Sequence, residues 1–157
     1  RLMAQLTDGT AQASTEDIDL NEVLKKVVTR CNEMLPKPQI SGIADGFVHA
    51  NFERLASVIE HLIRNAQDAT NDEGNIEISL VANTKVLTIE ICDTGCGMTA
   101  EFIRDRLFRP FDSTKGSQSM GIGAYQAREY IRQLAGQLDV NSTPGSGTSF
   151  KITLPLV

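Results

Sequence analysis

A line of polar side chains runs along the otherwise apolar segment SVIEHLIRNAQDAT (57–70). At about 100° per residue in a helix, His61, Asn65 and Asp68 fall within an arc of roughly 60°. Asn and Asp are poor interior helix residues, because their side chains compete with the backbone for hydrogen bonds. The line is either a boundary stripe at the edge of a helix–sheet contact or a site where the carbonyl oxygen of Asn65 meets a hard metal ion.

The segment DTGCGM (93–98) carries a carboxylate directly after an apparent buried strand. The Asp93 carboxylate could accept a hydrogen bond from an exocyclic amine. Gly95 and Gly97 would let the backbone approach a flat ring, because neither has a side chain. An ordinary Asp-Gly turn is the alternative interpretation.

Two further segments suggest phosphate binding. FRPFDSTKG (108–116) spaces two aromatic residues before Lys115 on a stretch of small residues, and it predicts a hinged flap with a cation. GSQSMGIGAY (116–125) puts Gly121 and Gly123 before a helix, which aims free N–H groups at an anion. Each segment has a plainer interpretation, as an exposed loop with an incidental lysine or as a common glycine-containing helix start.

Composition narrows the class of protein. The 157 residues carry a net charge of −5, so we expect no nucleic-acid partner. No apolar run approaches the roughly 20 residues that span a bilayer, and no signal peptide is visible. Because the chain begins at Arg1 rather than Met, we expect it to be part of a longer protein.

The three cysteines are an odd number and form no CxxC pair. This pattern argues against a disulfide framework or a structural zinc site, and it suits a reducing cytoplasm. Cys92 and Cys96 flank the glycine turn, and we expect both to be small buried residues.

Hydrophobic periodicity predicts interspersed helices and antiparallel strands. Helices are expected over STEDIDLNEVLKKVVTRCNEML, 51–70, 99–108 and 122–136, the last ending at Gly136. Hairpins are expected over 75–92 and 137–156, and short strands within 39–51. The predicted fold is an α/β (α+β) two-layer sandwich. Its mixed, mostly antiparallel sheet has about five strands, with three main helices on one face.

In this order, HLIRNAQDAT, DTGCGM, FRPFDSTKG and MGIGAYQ resemble the N, G1, F and G2 boxes of the histidine-kinase ATP-binding domain. That domain belongs to the gyrase, Hsp90, histidine kinase and MutL superfamily, with its Bergerat-type fold. The closing STPGSGTSFKITLPL is also similar to the usual kinase ending. GIGAYQAREYIRQLAG resembles sensor kinases linked to exopolysaccharide and PEP-CTERM sorting systems. The resemblance implies a catalytic domain over 16–157, preceded over 1–15 by the end of a helical dimerisation segment and a linker.

The resemblance also implies cofactors and site residues. ATP and Mg²⁺ are the expected cofactors, with Asn65 as the metal ligand and Asp93 bound to the adenine amine. Lys115 would act with Asn65 in catalysis by reaching the phosphates, and Arg64 could reach phosphate from the rim. The other residues expected to contact nucleotide are His61, Asp68, Gly95, Gly97, Met98, Phe108, Phe111, Thr114, Gly121, Ile122 and Gly123, with the two phenylalanines anchoring the lid.

The chain departs from the family pattern at three positions. His61 stands where the N box often has Asn, Ser119 where the G2 box often has Gly, and Ala124 where Leu is usual. ATP hydrolases of this superfamily carry a glutamate one helical turn before the metal-binding asparagine. His61 occupies that place, so the resemblance favours transfer to a protein over hydrolysis.

The implied function is transfer of the ATP γ-phosphate to a histidine on a separate upstream dimerisation domain, for relay to a response regulator receiver domain. The chain carries no phosphoacceptor motif of its own, since the only other histidine is His49 in an apparent strand. We expect a homodimeric full-length protein and the cytoplasmic portion of a bacterial sensor kinase, with membrane anchoring and a monomeric fragment left open. The alternatives are an anti-sigma-type protein-serine kinase and a regulatory nucleotide-binding module without transfer activity.

Overall fold

Alternating and helical patterns of apolar residues generate seven strands and four helices in the described part of the chain. The computed structural model describes residues 15–109 and 123–157. In chain order the elements are β1 (Glu16–Asp19), α1 (Leu20–Arg30), β2 (Pro38–Gly42), β3 (Phe47–Ala50), α2 (Phe52–Ala69), β4 (Ile76–Ala82), β5 (Val86–Asp93), α3 (Ala100–Phe102), α4 (Ala124–Gln133), β6 (Gln137–Thr143) and β7 (Gly147–Pro155). A π-helical turn, Ile103–Leu107, continues α3.

The main sheet has five strands in the order β2-β4-β5-β7-β6. Only β2 and β4 are parallel, and the other three pairs are antiparallel. In β5, Leu87, Ile89 and Ile91 are buried in the core, while the residues between them are partly exposed. This period of two fits one face packed on helices and one open face. The predicted mixed, mostly antiparallel sheet with helices is confirmed.

Helix α2 packs between the sheet and α1. Its N-cap is Asn51, whose side chain accepts a hydrogen bond from the N–H of Arg54 at 2.9 Å. The buried apolar side chains recur at helical spacing, and they are Leu55, Ala56, Val58, Ile59, Leu62, Ile63 and Ala66. Across the described ranges, no helix has the length and apolar character needed to cross a bilayer.

The first helix begins later than expected, because the residues predicted to open it form a short strand. Glu16–Asp19 pairs antiparallel with Phe47–Ala50 as a separate two-stranded sheet, instead of opening the helix. Ile18 is buried in that strand and faces Val48 across the pair. The helix begins only after Asp19, whose carboxylate caps it by accepting from the N–H of Asn21 at 2.9 Å.

Gln67 is a polar residue next to the apolar positions of α2, yet it is only 4% exposed. Its amide nitrogen contacts the backbone carbonyls of Cys31, Met34 and Pro36 at 2.9, 3.1 and 3.2 Å. The chain between α1 and β2 therefore covers this side of α2.

Helix α4 ends at Gln133, three residues before the predicted end at Gly136. Ala135, not Gly136, has the left-handed backbone, with φ of 63°. Its N–H bonds to the carbonyl of Arg132 at 3.0 Å, and the N–H of Gly136 bonds to that of Ile131 at 2.9 Å. These two bonds form a Schellman motif with alanine at the position glycine usually holds.

The cysteines differ in exposure. Cys31 is buried, Cys92 is partly exposed and Cys96 is exposed. The expectation that both Cys92 and Cys96 are buried is wrong, because Cys96 is exposed in the turn after β5 and Cys92 lies on the partly exposed face of that strand. The predicted segment 1–15, except Thr15, lies outside the described residues.

Candidate functional site

Asp93 is the last residue of β5 and is only 8% exposed. Its Oδ1 accepts hydrogen bonds from the N–H of Gly95 at 2.8 Å and from the N–H of Thr148 at 3.2 Å. Burial raises the pKa of this carboxyl group, and the two N–H donors partly oppose the rise. Within the described residues only Oδ1 accepts hydrogen bonds, so the arrangement holds the carboxylate in place through one oxygen.

The glycine turn after Asp93 is packed against the end of α2. A side chain at Gly95 would collide with the carbonyl of Ala69, and the N–H of Cys96 bonds to that carbonyl at 3.0 Å. Gly97 has φ of 74°, and a side chain there would collide with the carbonyl of Thr143. Both glycines are therefore required by close approach within the protein, whereas their contact with a ligand stays a prediction.

Two members of the polar line on α2, His61 and Asn65, are hydrogen-bonded to each other. The Asn65 amide nitrogen lies 3.1 Å from Nε2 of His61, one turn earlier. Asn65 and His61 are partly buried, and Asp68 is exposed. Asn65 precedes Ala69 by four residues, about 6 Å along the helix axis. The contact at Ala69 therefore brings the polar line close to the loop that follows Asp93.

Arg64 is turned away from this line. Its guanidinium pairs with Glu60 at 2.9 Å and approaches the carbonyl of Arg30 at 3.5 Å. Both partners lie on the side of α2 that faces α1. The expectation that Arg64 reaches phosphate from the rim stays a prediction, and Glu60 would compete with phosphate for the same donors.

Met98 and Phe108 lie on either side of α3. The N–H of Met98 donates to Ser142 Oγ at 2.7 Å. The side chains of Met98 and Phe108 both pack against the core. The guanidinium of Arg128, on α4, stacks on the Phe108 ring at 4.3 Å from its centroid. Arg128 was missed by the sequence analysis, since nothing in the spacing of α4 connects it with the F-box phenylalanine.

Gly123 is the N-cap of α4, and its N–H donates to Oε1 of Gln126 at 3.0 Å. The N–H group expected to meet phosphate is thus already paired within the helix. The remaining candidates of the flap and glycine loop lie outside the described residues, namely Phe111, Thr114, Lys115, Gly121 and Ile122.

Thr148 is the most informative residue that sequence reasoning missed. It lies opposite Asp93 in the pairing of β5 with β7, and its hydroxyl is 2.8 Å from that of Ser142. The only feature of the sequence that could have identified Thr148 is its place at the end of the closing Pro-Gly-x-Gly-Thr segment. The pairing of β5 with β7 is what gives that turn its role at the site.

The donor set near Asn65 suits a hard metal ion bound jointly with phosphate. Mg²⁺ binds through one or two protein oxygens and completes its shell with water and phosphate oxygens. Among the described residues, no three His, Cys, Asp or Glu side chains are grouped as a metal site. The Asn65 amide nitrogen lies 3.1 Å from Nε2 of His61, and the carbonyl oxygen of an asparagine is the end that binds a hard cation.

A buried carboxylate at a strand end, tied to a polar helix through a glycine turn, is an arrangement that could bind a nucleotide base and its phosphates. The chain belongs to the family described as histidine kinase-, DNA gyrase B-, and HSP90-like ATPase, whose profile matches residues 50–157. ATP is accordingly the nucleotide that this domain binds.

The chain is similar to several curated sensor kinases. It is 30% identical over 154 residues to the adaptive-response sensory kinase SasA of Crocosphaera subtropica, covering 92% of this chain and 40% of that protein. It is 31% identical over 130 residues to the sensor histidine kinase DpiB of Escherichia coli, covering 79% and 23%. The heme sensor protein HssS of Staphylococcus saprophyticus is 27% identical, covering 99% and 35%. The chain thus spans at most two fifths of these relatives.

Solved structures give the same fold. The nucleotide-free catalytic domain of the histidine kinase ThkA superposes with a TM-score of 0.77 at 22% identity, covering 90% of this chain and 95% of that one. A second nucleotide-free form gives 0.76 at 21% identity. At these identities the likeness establishes the architecture of the sheet and helices.

Proposed function

We propose that this chain is the catalytic domain of a sensor histidine kinase, which binds ATP with Mg²⁺ and transfers the γ-phosphate to a histidine on a separate upstream dimerisation domain. A response regulator receiver domain then takes the phosphate onto an aspartate. The full-length protein is a homodimer, and this chain is its cytoplasmic catalytic part.

The fixed carboxylate of Asp93 is the observation that carries this proposal. Two backbone N–H groups hold Oδ1, from Gly95 at 2.8 Å and from Thr148 at 3.2 Å. The second carboxylate oxygen, Oδ2, can accept a hydrogen bond from the exocyclic amine of adenine. A buried acceptor that is already positioned loses little entropy on binding, and it disfavours a base with a carbonyl at that place.

Asn65 supports the triphosphate end of the proposal. The contact between Ala69 and Cys96 ties its helix to the Asp93 loop at 3.0 Å. A nucleotide with its base at Asp93 would extend its phosphates toward the polar line of α2. Bound Mg²⁺ would neutralise phosphate charge, and in phosphoryl transfer such neutralisation and positioning supply most of the catalysis. Lys115 is proposed to add a second cation.

The surroundings of Asn65 favour transfer over hydrolysis. A hydrolase of this superfamily needs a carboxylate one turn before the asparagine, and this chain has His61 there, bonded to Asn65 at 3.1 Å. The nearest glutamate, Glu60, is paired with Arg64 and Arg30. His61 has no carboxylate, and the carboxylate of Glu60 is held by two arginines, so we expect neither to activate water and the γ-phosphate to remain available to a protein acceptor.

The test is to measure which protein receives the γ-phosphate of ATP. The 157-residue chain, incubated with γ-labelled ATP and Mg²⁺, should bind ATP without labelling itself. The full-length protein that contains it should become labelled, and the label should be labile in acid and stable in alkali, as a phosphohistidine is. Asn65→Asp serves as the inactive comparison.

Strong labelling of the isolated chain would contradict the proposal. An acid-stable label in the full-length protein would indicate transfer to a hydroxyl group, as in a protein-serine kinase. ATP binding without any labelling of the full-length protein would indicate a regulatory nucleotide-binding module.

A further inference from the structure

The histidine that replaces the usual N-box asparagine makes a specific contact with the proposed metal ligand. His61 and Asn65 are one helical turn apart on α2, and the amide nitrogen of Asn65 lies 3.1 Å from Nε2 of His61. Side chains at i and i+4 are neighbours on a helix surface, so the contact follows directly from the spacing. Both residues are partly buried, which limits competition from water.

An asparagine amide has two chemically different ends. Its oxygen is a metal ligand, whereas its NH₂ group is a donor that a cation repels. A half-turn about the last side-chain bond exchanges the two ends, so an unrestrained asparagine would present the wrong end part of the time. A neighbour that only accepts a hydrogen bond from this amide fixes the orientation.

We infer that His61 is a positioning residue that accepts a hydrogen bond from the Asn65 amide and thereby turns its carbonyl oxygen toward Mg²⁺. Nε2 is the accepting atom, so the ring carries its proton on Nδ1. His61 acts through Asn65 in this role, in the way that outer partners orient metal ligands elsewhere. The inference rests on the proposed function, because it takes Asn65 as the metal ligand.

The first experiment examines the ring without any ligand. Long-range ¹H–¹⁵N spectra of the 157-residue chain distinguish the two neutral tautomers of His61, with the exposed His49 as an internal reference. The inference predicts a protonated Nδ1 and an unprotonated Nε2. A proton on Nε2 would overturn it, because that nitrogen could then no longer accept from Asn65, whatever the chain binds.

The second experiment measures ATP affinity by calorimetry with Mg²⁺ and with EDTA. His61→Met removes the acceptor at similar length, and His61→Gln retains one in its amide oxygen. Met should reduce the Mg²⁺-dependent gain in ATP affinity, measured against the same variant in EDTA, by about tenfold or more, the usual loss for an orienting partner. Gln should restore most of the gain, and His49→Gln should match the wild type.

The outcomes separate this inference from the proposed function. A Met variant with the wild-type Mg²⁺ dependence, or one that loses affinity equally with and without Mg²⁺, would overturn the positioning role. Should the Met variant fail to fold, as judged by its thermal melt, His61→Leu provides the same comparison. A wild-type chain that binds no ATP would contradict the proposed function itself.

Discussion

The Oδ1 atom of Asp93 accepts a hydrogen bond from the N–H of Thr148 at 3.2 Å, between residues 55 positions apart in the chain. The two residues are partners in the pairing of β5 with β7, which places them at the end of the sheet where the glycine turn begins. This bond fixes the carboxylate before any ligand arrives. Burying this carboxylate lowers the stability of the folded domain, so the group proposed to bind the ligand also destabilises the protein.

Replacing Asp93 with Asn should therefore leave the ligand-free domain as stable as the wild type, or more stable, at neutral pH. Burial raises the pKa of the folded carboxyl group, so ionisation favours the unfolded chain and the stability of the wild type falls as pH rises through the folded pKa. The neutral amide oxygen can still accept from Gly95 and Thr148.

Urea unfolding of the wild type and Asp93→Asn at several pH values measures this effect. Any advantage of the variant should shrink toward pH 3, where the aspartate is protonated in both states. A variant clearly less stable than the wild type at pH 7 would contradict this account of the carboxylate.

The sequence pattern predicted helix α2 and the position of Asp93 well. Helix α2 was expected over 51–70 and runs from Phe52 to Ala69, because its apolar residues recur at helical spacing. Asp93 was identified because a carboxylate after an alternating strand and before glycines is distinctive. Thr148 could not be identified, because its position at Asp93 depends on which distant strands pair.

Gln67 should contribute strongly to stability. Replacing it with Met, of similar size, removes the donor to three backbone carbonyls between α1 and β2. We expect a loss of about 1–3 kcal/mol in the free energy of unfolding, because carbonyls would be left unpaired. Urea unfolding measures it, with the exposed Glu73→Gln as a control expected within about 0.5 kcal/mol of the wild type.

Gln67→Glu sharpens that comparison. A carboxylate in the same place faces the carbonyls without a donor, so this variant should be less stable than Gln67→Met. Equal stability of Gln67→Glu and the wild type would mean that the amide donor is unimportant.

Ala135→Gly should stabilise the domain. Ala135 has φ of 63°, a left-handed conformation that costs an L-residue roughly 1–2 kcal/mol and glycine much less. We expect about 1 kcal/mol of added stability and a rise in melting temperature of about 2–4 °C. The same change at Ala127, buried in the middle of α4, should have the opposite sign. A melting temperature lowered by Ala135→Gly would contradict the Schellman geometry.

The three thiols should react in an order set by burial. Cys96 is exposed and should react with a thiol reagent in the native protein, whereas Cys31 should react only after unfolding. Burial raises the pKa of Cys31 from its usual 9.0 to about 11. Between these values the unfolded chain loses the proton first, so stability should fall as pH rises through this window. Native labelling of Cys31 at pH 8, followed by mass spectrometry, would contradict its burial.

The remaining differences between expectation and structure share a physical cause. Periodicity reports which face of an element is apolar, and it does not report what covers the other faces. The chain after α1 buries Gln67, and a strand pair takes Glu16–Asp19 out of the first helix. Each outcome depends on a contact between segments that are distant in sequence.

The most direct measurement is a calorimetric titration of ATP with Mg²⁺ into the wild type and Asp93→Asn, with GTP as the second ligand. The wild type should bind ATP and strongly prefer it to GTP, because Asp93 accepts from the adenine amine and would face a carbonyl oxygen on guanine. Asp93→Asn should weaken ATP binding at least about tenfold, since its NH₂ group would then face the adenine amine. Equal ATP affinity of the two proteins would contradict the account.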